Sequence, residues 1–313
     1  GGVCAAPISG TLTDRLGRRS TMLLGLTLGA LSVVILALAT TPALLVTMAF
    51  LGGATQQAYF PSSNAAIADV VPPEDRQRAY GHVYWAANLG LALGFAVAGL
   101  VATAHLPLLF LADAGTSLLC AALVLWKVPE TRPAFASESP GLLGLFGVLQ
   151  DRVFFGFCAL HTVALLVFTQ FQLALPLEMA AHAVGSQGFS QLMAINCLGV
   201  VLLQPWMTPL LRRFDPSRLL ALSSLLVGTG YVINTWVSTL SGYLFGSAFW
   251  TVGEVVGFPA ASALVANLAP VPLRGRYQGM FSMVWGLSMT LSPIVGGQLM
   301  HRLGSPALWA ACF

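Results

Sequence analysis

The chain of 313 residues carries a net charge of only +3, and just 8% of its residues are charged whereas 57% are hydrophobic. Because a soluble domain is about 25% charged, the composition excludes an ordinary water-soluble surface and predicts one that faces lipid. The basic residues lie in groups of two or three beside hydrophobic runs, so no nucleic-acid-binding patch is predicted, and the five scattered cysteines indicate neither a disulfide framework nor a metal site.

Nine complete membrane-spanning helices are predicted, because a helix needs about 20 mostly apolar residues to cross a bilayer. In chain order they cover residues 20–40, 43–70, 79–104, 106–127, 153–178, 188–211, 217–238, 241–268 and 276–300. The apolar runs are unbroken rather than alternating, which favours helices over strands. Apolar segments at 1–12 and 305–313 are interpreted as the end of one span and the start of another, so the chain is expected to be a fragment.

The basic residues predict the orientation of these spans. All 14 Lys and Arg residues except Arg302 lie in alternate loops. These loops contain Arg15, Arg76, Arg132, Arg212 and Arg274. By the positive-inside rule the loops are expected to be cytoplasmic, in a multi-pass protein of the bacterial inner (plasma) membrane.

An internal repeat becomes visible when the sequence is compared with itself at an offset of 198 residues, which places Arg76 on Arg274. Because the offset holds without gaps over about 90 residues, two similar halves of the same topology are predicted, and parallel halves are an architecture of secondary transporters. The predicted halves are residues 1–128 and 153–313. A cytoplasmic linker at 129–152 is expected to join them.

The decapeptide GTLTDRLGRR separates two uncharged hydrophobic runs. It resembles the signature of the major facilitator superfamily, G-x-L-x-D-R-x-G-R-R/K, which follows the second span in that family. The matching residues are Gly10, Leu12, Asp14, Arg15, Gly17, Arg18 and Arg19. The resemblance, which extends to the small-molecule exporters of the drug:proton antiporter type, implies an all-α membrane protein with the major facilitator fold, two parallel six-helix halves and twelve spans. The first span and most of the last would then be missing from the chain.

The resemblance also implies a gate on the cytoplasmic side. Asp14 is expected to face the positive N-terminus of span eleven, and Arg18 is expected to pair with Asp69 at the end of span four. Gly10 would let the neighbouring helix approach, and Gly17 would let the loop turn. These contacts would hold the two halves together and break when the protein opens inward. The alternative is that the loop only anchors the topology.

The sequence also departs from the exporters of that family. Met48 stands four residues before Gly52, where such exporters often have an arginine in span four, and span five lacks the Gly-Pro pair of the antiporter pattern. In the second half, Arg212 stands where the first half has Asp14. Only the first half is therefore expected to form a gate of this kind.

Three ionisable residues inside predicted spans are candidates for proton coupling, because such residues are costly in a membrane. Glu254 lies near the middle of span ten, one turn from Trp250 and from Phe258. A carboxyl group in these apolar surroundings is expected to exchange a proton near neutral pH. Asp113 in span six and His161 in span seven are the other two candidates, and for each of the three a structural hydrogen bond is the alternative.

A substrate cavity is expected to be lined by amide and aromatic side chains of spans four, five, seven, eight, ten and eleven. The candidates are Gln56, Tyr59, Asn64, Trp85, Asn88, Gln170, Asn196, Trp250, Phe258 and Trp285. Such a set around one central carboxyl group suits an amphipathic or cationic organic solute. Packing between helices is the alternative role for each of them.

The sequence has no phosphate-binding loop and no Ser/His/Asp constellation, so neither an ATP-driven pump nor an enzyme is predicted, and no cofactor or metal is expected. The favoured interpretation is a monomeric secondary transporter that exports small lipophilic or cationic compounds by alternating access. Its expected partners are the small-molecule substrate, protons and the lipid bilayer. Uptake or exchange of a metabolite, a lipid translocase, and a non-transporting receptor or assembly protein with the same fold are the alternatives.

Overall fold

The computed structural model describes residues 1–101, 106–132 and 144–313, without the side chains of Gln56 and of residues 95–101, 106–107 and 144–146. Every regular element in this part of the chain is a helix. The α-helices are α1 Gly2–Leu16, α2 Arg18–Ala37, α3 Pro42–Val70, α4 Arg76–Val101, α5 Leu106–Lys127, α6 Gly144–Gln150, α7 Arg152–Phe168, α8 Ala174–Ala181, α9 Gly185–Leu211, α10 Pro216–Ile233, α11 Leu240–Leu268, α12 Arg274–Leu303 and α13 Ser305–Ala311. Short 3-10 turns cover Pro73–Asp75, Thr169–Gln172 and Val271–Leu273.

Seven segments of the described chain are long and apolar enough to cross a membrane. They correspond to α2, α5, the run of α7 and α8, α9, α10, α11 and α12. The two other predicted spans coincide with α3, of 29 residues, and α4, of 26 residues. Large apolar side chains lie on the outside, among them Trp206 at 83% exposed and Trp236 at 77%, as expected of groups that contact lipid. The predicted all-helical membrane fold class is confirmed.

The internal repeat of the sequence extends to the helix boundaries. Helices α3 and α11 begin 198 residues apart, at Pro42 and Leu240, and they also end 198 residues apart, at Val70 and Leu268. The 3-10 turns that follow them and the starts of α4 and α12 keep the same offset. These helices and turns therefore start and stop at positions that match in the 198-residue repeat.

The predicted span seven is not one continuous helix. Its α-helical part ends at Phe168, a 3-10 turn covers Thr169–Gln172, and α8 begins at Ala174. Because Pro176 has no backbone N–H, it cannot donate to the carbonyl four residues before it, and the regular α-helical ladder is interrupted there. The hydroxyl of Tyr231 on α10 donates to the carbonyl of Phe168 at 2.7 Å. The predicted span over 153–178 thus corresponds to the apolar segment Arg152–Ala181, which consists of two α-helices joined by a 3-10 turn.

The chain divides into two compact units. Unit 1 contains Gly1–Pro73, Ala96–Cys158 and Val265–Gly286, and unit 2 contains Glu74–Phe95, Ala159–Leu264 and Leu287–Phe313. Each unit includes segments from both of the halves predicted from sequence, and the division into 1–128, 129–152 and 153–313 stays a prediction. Of the predicted linker, residues 133–143 lie outside the described part of the chain.

Each unit has an apolar core where its helices meet. In unit 1, Met22 of α2, Ala66 of α3 and Val124 of α5 pack together and are buried. In unit 2, a second cluster joins α9, α10 and α11. Its members are Leu211, Leu219, Val256 and Ala260. These cores hold the helices whose polar residues form the candidate sites.

Candidate functional site

A buried group of charged side chains, here called the Asp14 network, lies in unit 1. It consists of Asp14, Arg18, Asp69, Arg274 and Arg276. Helix α1 ends at Leu16, and Gly17 then adopts a φ of 104°, which favours glycine, before α2 begins at Arg18. This turn places Asp14 near the end of α1 and Arg18 at the start of α2, so that both side chains join the network.

The side-chain carboxylate of Asp14 binds backbone N–H groups at the start of α12. Its Oδ1 accepts a hydrogen bond from the N–H of Gly275 at 2.9 Å, and its Oδ2 accepts one from the N–H of Arg276 at 3.0 Å. The first N–H groups of a helix have no partner within the helix and form its positive end. A carboxylate at this position accepts their hydrogen bonds and also supplies the opposite charge. The guanidinium of Arg276 also lies 3.8 Å from Oδ2.

Glycines allow α1 and α12 to approach closely enough for this contact. A Cβ atom on Gly279 would lie 2.9 Å from the Cα of Gly10, and a Cβ on Gly10 would overlap the backbone carbonyl of Gly275. Neither position can hold a larger side chain without separating the helices. The decapeptide glycine therefore acts here through packing.

Asp69 receives two arginines. The Nε of Arg18 lies 2.8 Å from its Oδ2, and a guanidinium nitrogen of Arg274 lies 2.8 Å from its Oδ1. The side chain of Arg18 is fully buried and that of Asp69 is 5% exposed, so water screens this pair little. Sequence reasoning anticipated the pairing of Arg18 with Asp69, but it missed Arg274 and Arg276. The only sequence signal for these two was their place in the repeat.

Glu130, just after α5, is a further acidic residue at this site that sequence reasoning missed. Its carboxylate accepts hydrogen bonds from the N–H of Arg18 at 2.8 Å and from the N–H of Arg19 at 3.2 Å. It thereby caps the start of α2. The guanidinium of Arg19 donates to the carbonyl of Leu125, whereas Arg15 is exposed. The sequence signal that could have identified Glu130 is its acidic side chain in the polar segment PETR, residues 129–132.

The corresponding position of the second half has a different chemistry. Arg212 stands 198 residues after Asp14 and lies 4.0 Å from Asp75. The two side chains are 46% and 50% exposed, so this pair is solvated. Thr208 stands at the position of Gly10, and a Cβ on Gly81 would lie 2.8 Å from its hydroxyl oxygen. Among the described residues, the buried form of the contact occurs at Asp14 and not at the matching Arg212.

At the start of α7, outside the hydrophobic run, Asp151 binds both its own helix and α12. Its carboxylate accepts hydrogen bonds from the N–H groups of Val153 and Phe154 at 3.0 Å and from the hydroxyl of Tyr277 at 2.7 Å. The hydrogen bond from Phe154, together with that from Tyr277, lowers the pKa of the Asp151 carboxyl group. Asp151 therefore stabilises the fold in its ionised form.

A second polar group, here called the Glu254 site, lies in unit 2 and consists of Glu254, Tyr84, Asn196 and Thr251. Glu254 is 2% exposed. Its Oε2 accepts a hydrogen bond from the hydroxyl of Tyr84 at 2.7 Å, and its Oε1 accepts one from the side-chain amide of Asn196 at 2.9 Å. The same amide donates to the hydroxyl of Thr251 at 2.9 Å. Among the described residues, no basic side chain forms an ion pair with Glu254.

Three helices supply the Glu254 site: Tyr84 comes from α4, Asn196 from α9 and Glu254 from α11. Tyr84 belongs to the predicted first half and Glu254 to the predicted second half, although both lie in unit 2. Sequence reasoning named Glu254 and Asn196 but missed Tyr84. No local pattern marks this tyrosine, because its partner is 170 residues away in the chain.

Aromatic side chains surround this site. Phe258 has its ring centroid 5.3 Å from that of Tyr84 and 4.9 Å from that of Phe168. Trp250 stacks on Tyr231 at 6.0 Å and is 2% exposed. The carboxyl group of Glu254 therefore lies in surroundings that are apolar apart from its own hydrogen-bond donors.

The other cavity residues predicted for unit 2 are held by backbone contacts. Trp85 donates from Nε1 to the carbonyl of Val201 at 2.9 Å, and Asn88 donates to the carbonyl of Tyr84 at 3.0 Å. Gln170 donates to the carbonyl of Leu166 at 2.9 Å. These contacts fix the orientation of the side chains.

The remaining predicted cavity residues belong to unit 1. Asn64 donates to the amide oxygen of Gln278 at 3.4 Å, Tyr59 lines a cavity between α2, α3 and α5, and Trp285 is partly exposed. The side chain of Gln56 lies outside the described residues. A substrate role for these residues stays a prediction.

The two other candidates for proton coupling are His161 in unit 2 and Asp113 in unit 1. His161 on α7 is 7% exposed. Asp113 on α5 is exposed and lines the cavity between α2, α3 and α5. Neither shares a described hydrogen bond with Glu254, and their predicted role in coupling stays untested.

The family model of the Major Facilitator Superfamily matches residues 1–182 and 157–313, which together include the whole chain. The chain belongs to this superfamily. The resemblance carried by the decapeptide is thereby confirmed, and with it the fold of a multi-pass membrane transporter.

Several curated relatives cover most of the chain at low identity. A Na(+), Li(+), K(+)/H(+) antiporter of Planococcus maritimus is 25% identical over 93% of this chain and 77% of its own length. Multidrug resistance protein MdtH of Citrobacter koseri is 24% identical over 93% of this chain and 72% of its own length. The MFS-type transporter YhjO of Bacillus subtilis is 23% identical over 97% of this chain and 75% of its own length. These superfamily relatives are transporters rather than enzymes.

Solved structures of the superfamily share the fold. The human organic anion transporter MFSD10 superposes with a TM-score of 0.87 at 20% identity, over 99% of this chain and 78% of that one. The transporter FucP, solved in the outward conformation, gives a TM-score of 0.77 at 16% identity, over 99% of this chain and 84% of that one. At these identities the likeness shows the fold alone.

Proposed function

We propose that this transporter exports small lipophilic or cationic compounds in exchange for protons, and that Glu254 carries the proton. The observation that carries the proposal is the Glu254 site, in which a carboxyl group 2% exposed is held by Tyr84 and Asn196. An ionisable residue that has no basic partner inside a membrane is retained at a cost, which favours a functional role.

The hydrogen bonds of Glu254 suggest how a proton would change the site. An ionised carboxylate accepts from both Tyr84 and Asn196, and hydrogen bonds to an ionised group are about twice as strong as neutral ones. A protonated carboxyl group donates one hydrogen bond, and of the two groups that now donate to Glu254 the hydroxyl of Tyr84 can accept it, whereas the –NH₂ group of Asn196 only donates. Protonation would therefore reverse and weaken the link to Tyr84.

The Asp14 network is proposed to be the gate of the same cycle. Its buried contacts join α1, α2 and α3 to the start of α12, and the basic loops that contain Arg15, Arg76, Arg132, Arg212 and Arg274 are proposed to face the cytoplasm. Opening toward the cytoplasm would separate Asp14 from the first N–H groups of α12. Contacts made of hydrogen bonds and ion pairs can break and form again when water enters.

The relatives support this function in part. Of the relatives at about 25% identity, one is named as a multidrug resistance protein and another as a Na(+), Li(+), K(+)/H(+) antiporter, which supports a proposal of drug transport and proton exchange. The aromatic surroundings of Glu254 favour a substrate with apolar groups and a positive charge. We propose the plasma (inner) membrane as its location and the monomer as its working form.

The proposal is tested in everted membrane vesicles that contain the transporter and carry an inside-acid proton gradient. Accumulation of the cationic dye ethidium is compared between the wild type and Glu254→Gln. We expect gradient-driven uptake in the wild type and a loss of at least tenfold in the variant. Glu178→Gln is the matched control, because Glu178 is also a buried carboxyl group, at 5% exposure, outside the Glu254 site.

The outcomes separate the alternatives. Uptake that survives Glu254→Gln would keep the exporter but transfer proton coupling to Asp113 or His161. Wild-type vesicles that accumulate neither ethidium nor other organic cations would contradict export and favour uptake or exchange of a metabolite. A receptor or assembly role would require that no tested solute moves and that the Asp14 network never opens.

A further inference from the structure

Unit 1 contains a cavity that lies outside both polar groups described above. Its volume is about 610 Å³, and α2, α3 and α5 form its walls. The residues that matter for its chemistry are Gly29, Ser32, Gly52, Tyr59, Asp113 and Ser117. Small residues on two facing helices create the space, and a volume of this size falls within the range of about 300–1,000 Å³ that is typical of small-molecule sites.

Asp113 carries the only carboxylate among the described residues that line this cavity. It lies within α5, in a segment apolar enough to cross the membrane, and its side chain is exposed. Within the described part of the chain, no donor or cation is bonded to its carboxylate. A carboxylate in an apolar segment without a protein partner is costly, so a ligand that supplies the positive charge would stabilise it.

The cavity lies toward the helix ends that are opposite to the basic loops. Leu36, near the end of α2, and Met48, near the start of α3, both line it. Tyr59 lines the deeper part, and its ring centroid is 5.7 Å from that of Phe60, which also contributes to the wall. A ligand would thus find a carboxylate and aromatic rings in one apolar space.

We propose that this cavity is a second binding site, for an amphipathic organic cation whose ammonium group pairs with Asp113 and whose apolar part contacts the walls of α2 and α3. The aromatic rings of Tyr59 and Phe60 favour the same charge, because a cation is attracted to the face of an aromatic ring. The site rests on its own geometry, and it stands whether or not Glu254 couples export to protons.

The lining also argues against a membrane phospholipid as the occupant. A phospholipid headgroup carries a phosphate, and no Lys or Arg belongs to the described lining that could pair with it. Two acyl chains also need more room than one drug-sized molecule. A single-chain or compact organic cation satisfies Asp113 and leaves no charge unpaired.

The test uses a photoreactive probe on the purified transporter in lipid nanodiscs. The probe is an alkyl trimethylammonium with a diazirine in its chain, and its neutral tert-butyl analogue is the control for shape. We expect the cationic probe to label peptides of α2, α3 and α5, and tetraphenylphosphonium to compete. Labelling of these peptides is expected to fall at least tenfold in Asp113→Asn and to return in Asp113→Glu.

A second variant tests the space instead of the charge. A Cβ on Gly29 meets only the hydroxyl of Thr55, at 3.6 Å, so a side chain can begin there without a clash, and Gly29→Leu is expected to narrow the cavity. It is expected to abolish labelling while thermal stability stays close to that of the wild type. Glu254→Gln is expected to label these peptides as the wild type does, which separates this proposal from the proposed function.

Three results would overturn the site. Labelling that is unchanged in both Asp113→Asn and Gly29→Leu would show that the cavity binds nothing. Equal labelling by the neutral analogue would show that the charge of Asp113 plays no part. Labelling that falls tenfold when phosphatidylethanolamine is added to the nanodiscs would assign the cavity to lipid.

Discussion

The hydroxyl oxygen of Tyr84 lies 2.7 Å from Oε2 of Glu254, although the two residues are 170 positions apart in the chain. This contact gives the buried carboxyl group a partner that can either donate or accept a hydrogen bond. It connects α4 with α11, two helices that the internal repeat assigns to different halves. A change in the protonation of Glu254 would therefore act directly on a contact between the predicted halves.

Replacing Tyr84 by phenylalanine tests this link. Tyr84→Phe removes the donor to Oε2 and keeps the ring that packs on Phe258. Because hydrogen bonds to charged groups contribute about 1.5–3 kcal/mol, we expect a loss of that size in the free energy of unfolding, measured by denaturant titration in detergent. Gradient-driven dye uptake is expected to fall at least tenfold. Tyr243→Phe is the matched control, because it removes a hydroxyl that lies 2.7 Å from Nδ1 of His182 and forms no described hydrogen bond with Glu254. Uptake should persist in this control, and equal loss in both variants would contradict the role of Tyr84.

Removal of one charge at Asp14 and of one at Arg212 compares the buried contact of Asp14 with the exposed pair at the matching position of the repeat. Asp14→Asn removes the buried carboxylate that lies 3.4 Å from the guanidinium of Arg18 and 3.8 Å from that of Arg276, so we expect the free energy of unfolding to fall by about 3–5 kcal/mol. Arg212→Gln, at the matching position of the second half, breaks only an exposed pair and should cost less than about 1 kcal/mol. Spin labels in the basic loops should report a wider separation only for Asp14→Asn. Similar small effects in both variants would contradict the gate.

A pair of glycine substitutions tests the close approach of α1 and α12. Gly10→Ala places a methyl group on the carbonyl of Gly275, so the helices have to separate. Overpacking typically costs about 1–3 kcal/mol, and a lower melting temperature is expected. A Cβ on Gly90 meets no described atom within 4 Å, and Gly90→Ala should be neutral or slightly stabilising. A melting temperature unchanged in Gly10→Ala would refute the tight contact.

The cap that Glu130 forms on α2 can be tested by truncation. Glu130→Ala removes the acceptor for the N–H groups of Arg18 and Arg19, and loss of a helix cap costs about 0.5–2 kcal/mol. Glu74→Ala, another exposed glutamate, is the control and should leave the unfolding free energy within about 0.5 kcal/mol of the wild type. If the two variants lose equal stability, the cap contributes nothing.

Asp151 gives a pH dependence whose sign follows from its hydrogen bonds. Its pKa is lower in the folded protein than the ordinary 3.8, so its ionised form stabilises the fold above that pH, and the effect is lost as the pH falls through the lowered pKa. Asp151→Asn keeps a helix cap without the charge. We therefore expect the wild type to melt above the variant at pH 6 and the difference to shrink below about pH 4. A difference that is independent of pH would contradict this assignment.

Several features of the gate and of the Glu254 site could be predicted from the sequence because they depend on local patterns. The decapeptide identified Asp14, Arg18 and Gly10, and the position of Glu254 within an apolar span identified it as unusual. The contacts of Arg274, Glu130 and Tyr84 were missed because their partners lie between 111 and 205 positions away. Distances of that kind depend on how helices pack, and no local signal encodes them.

The same division applies to the whole fold. By itself, the sequence determined the helical class, the repeat at 198 residues and the membership in the superfamily, because apolar run length, offset matches and a ten-residue signature are all properties of the chain written in order. The tertiary structure alone decided that span seven breaks at Thr169–Gln172, that Asp69 receives two arginines and that Asp113 faces an open cavity. Each of these depends on what a neighbouring helix places opposite a side chain, and that is set by packing in three dimensions.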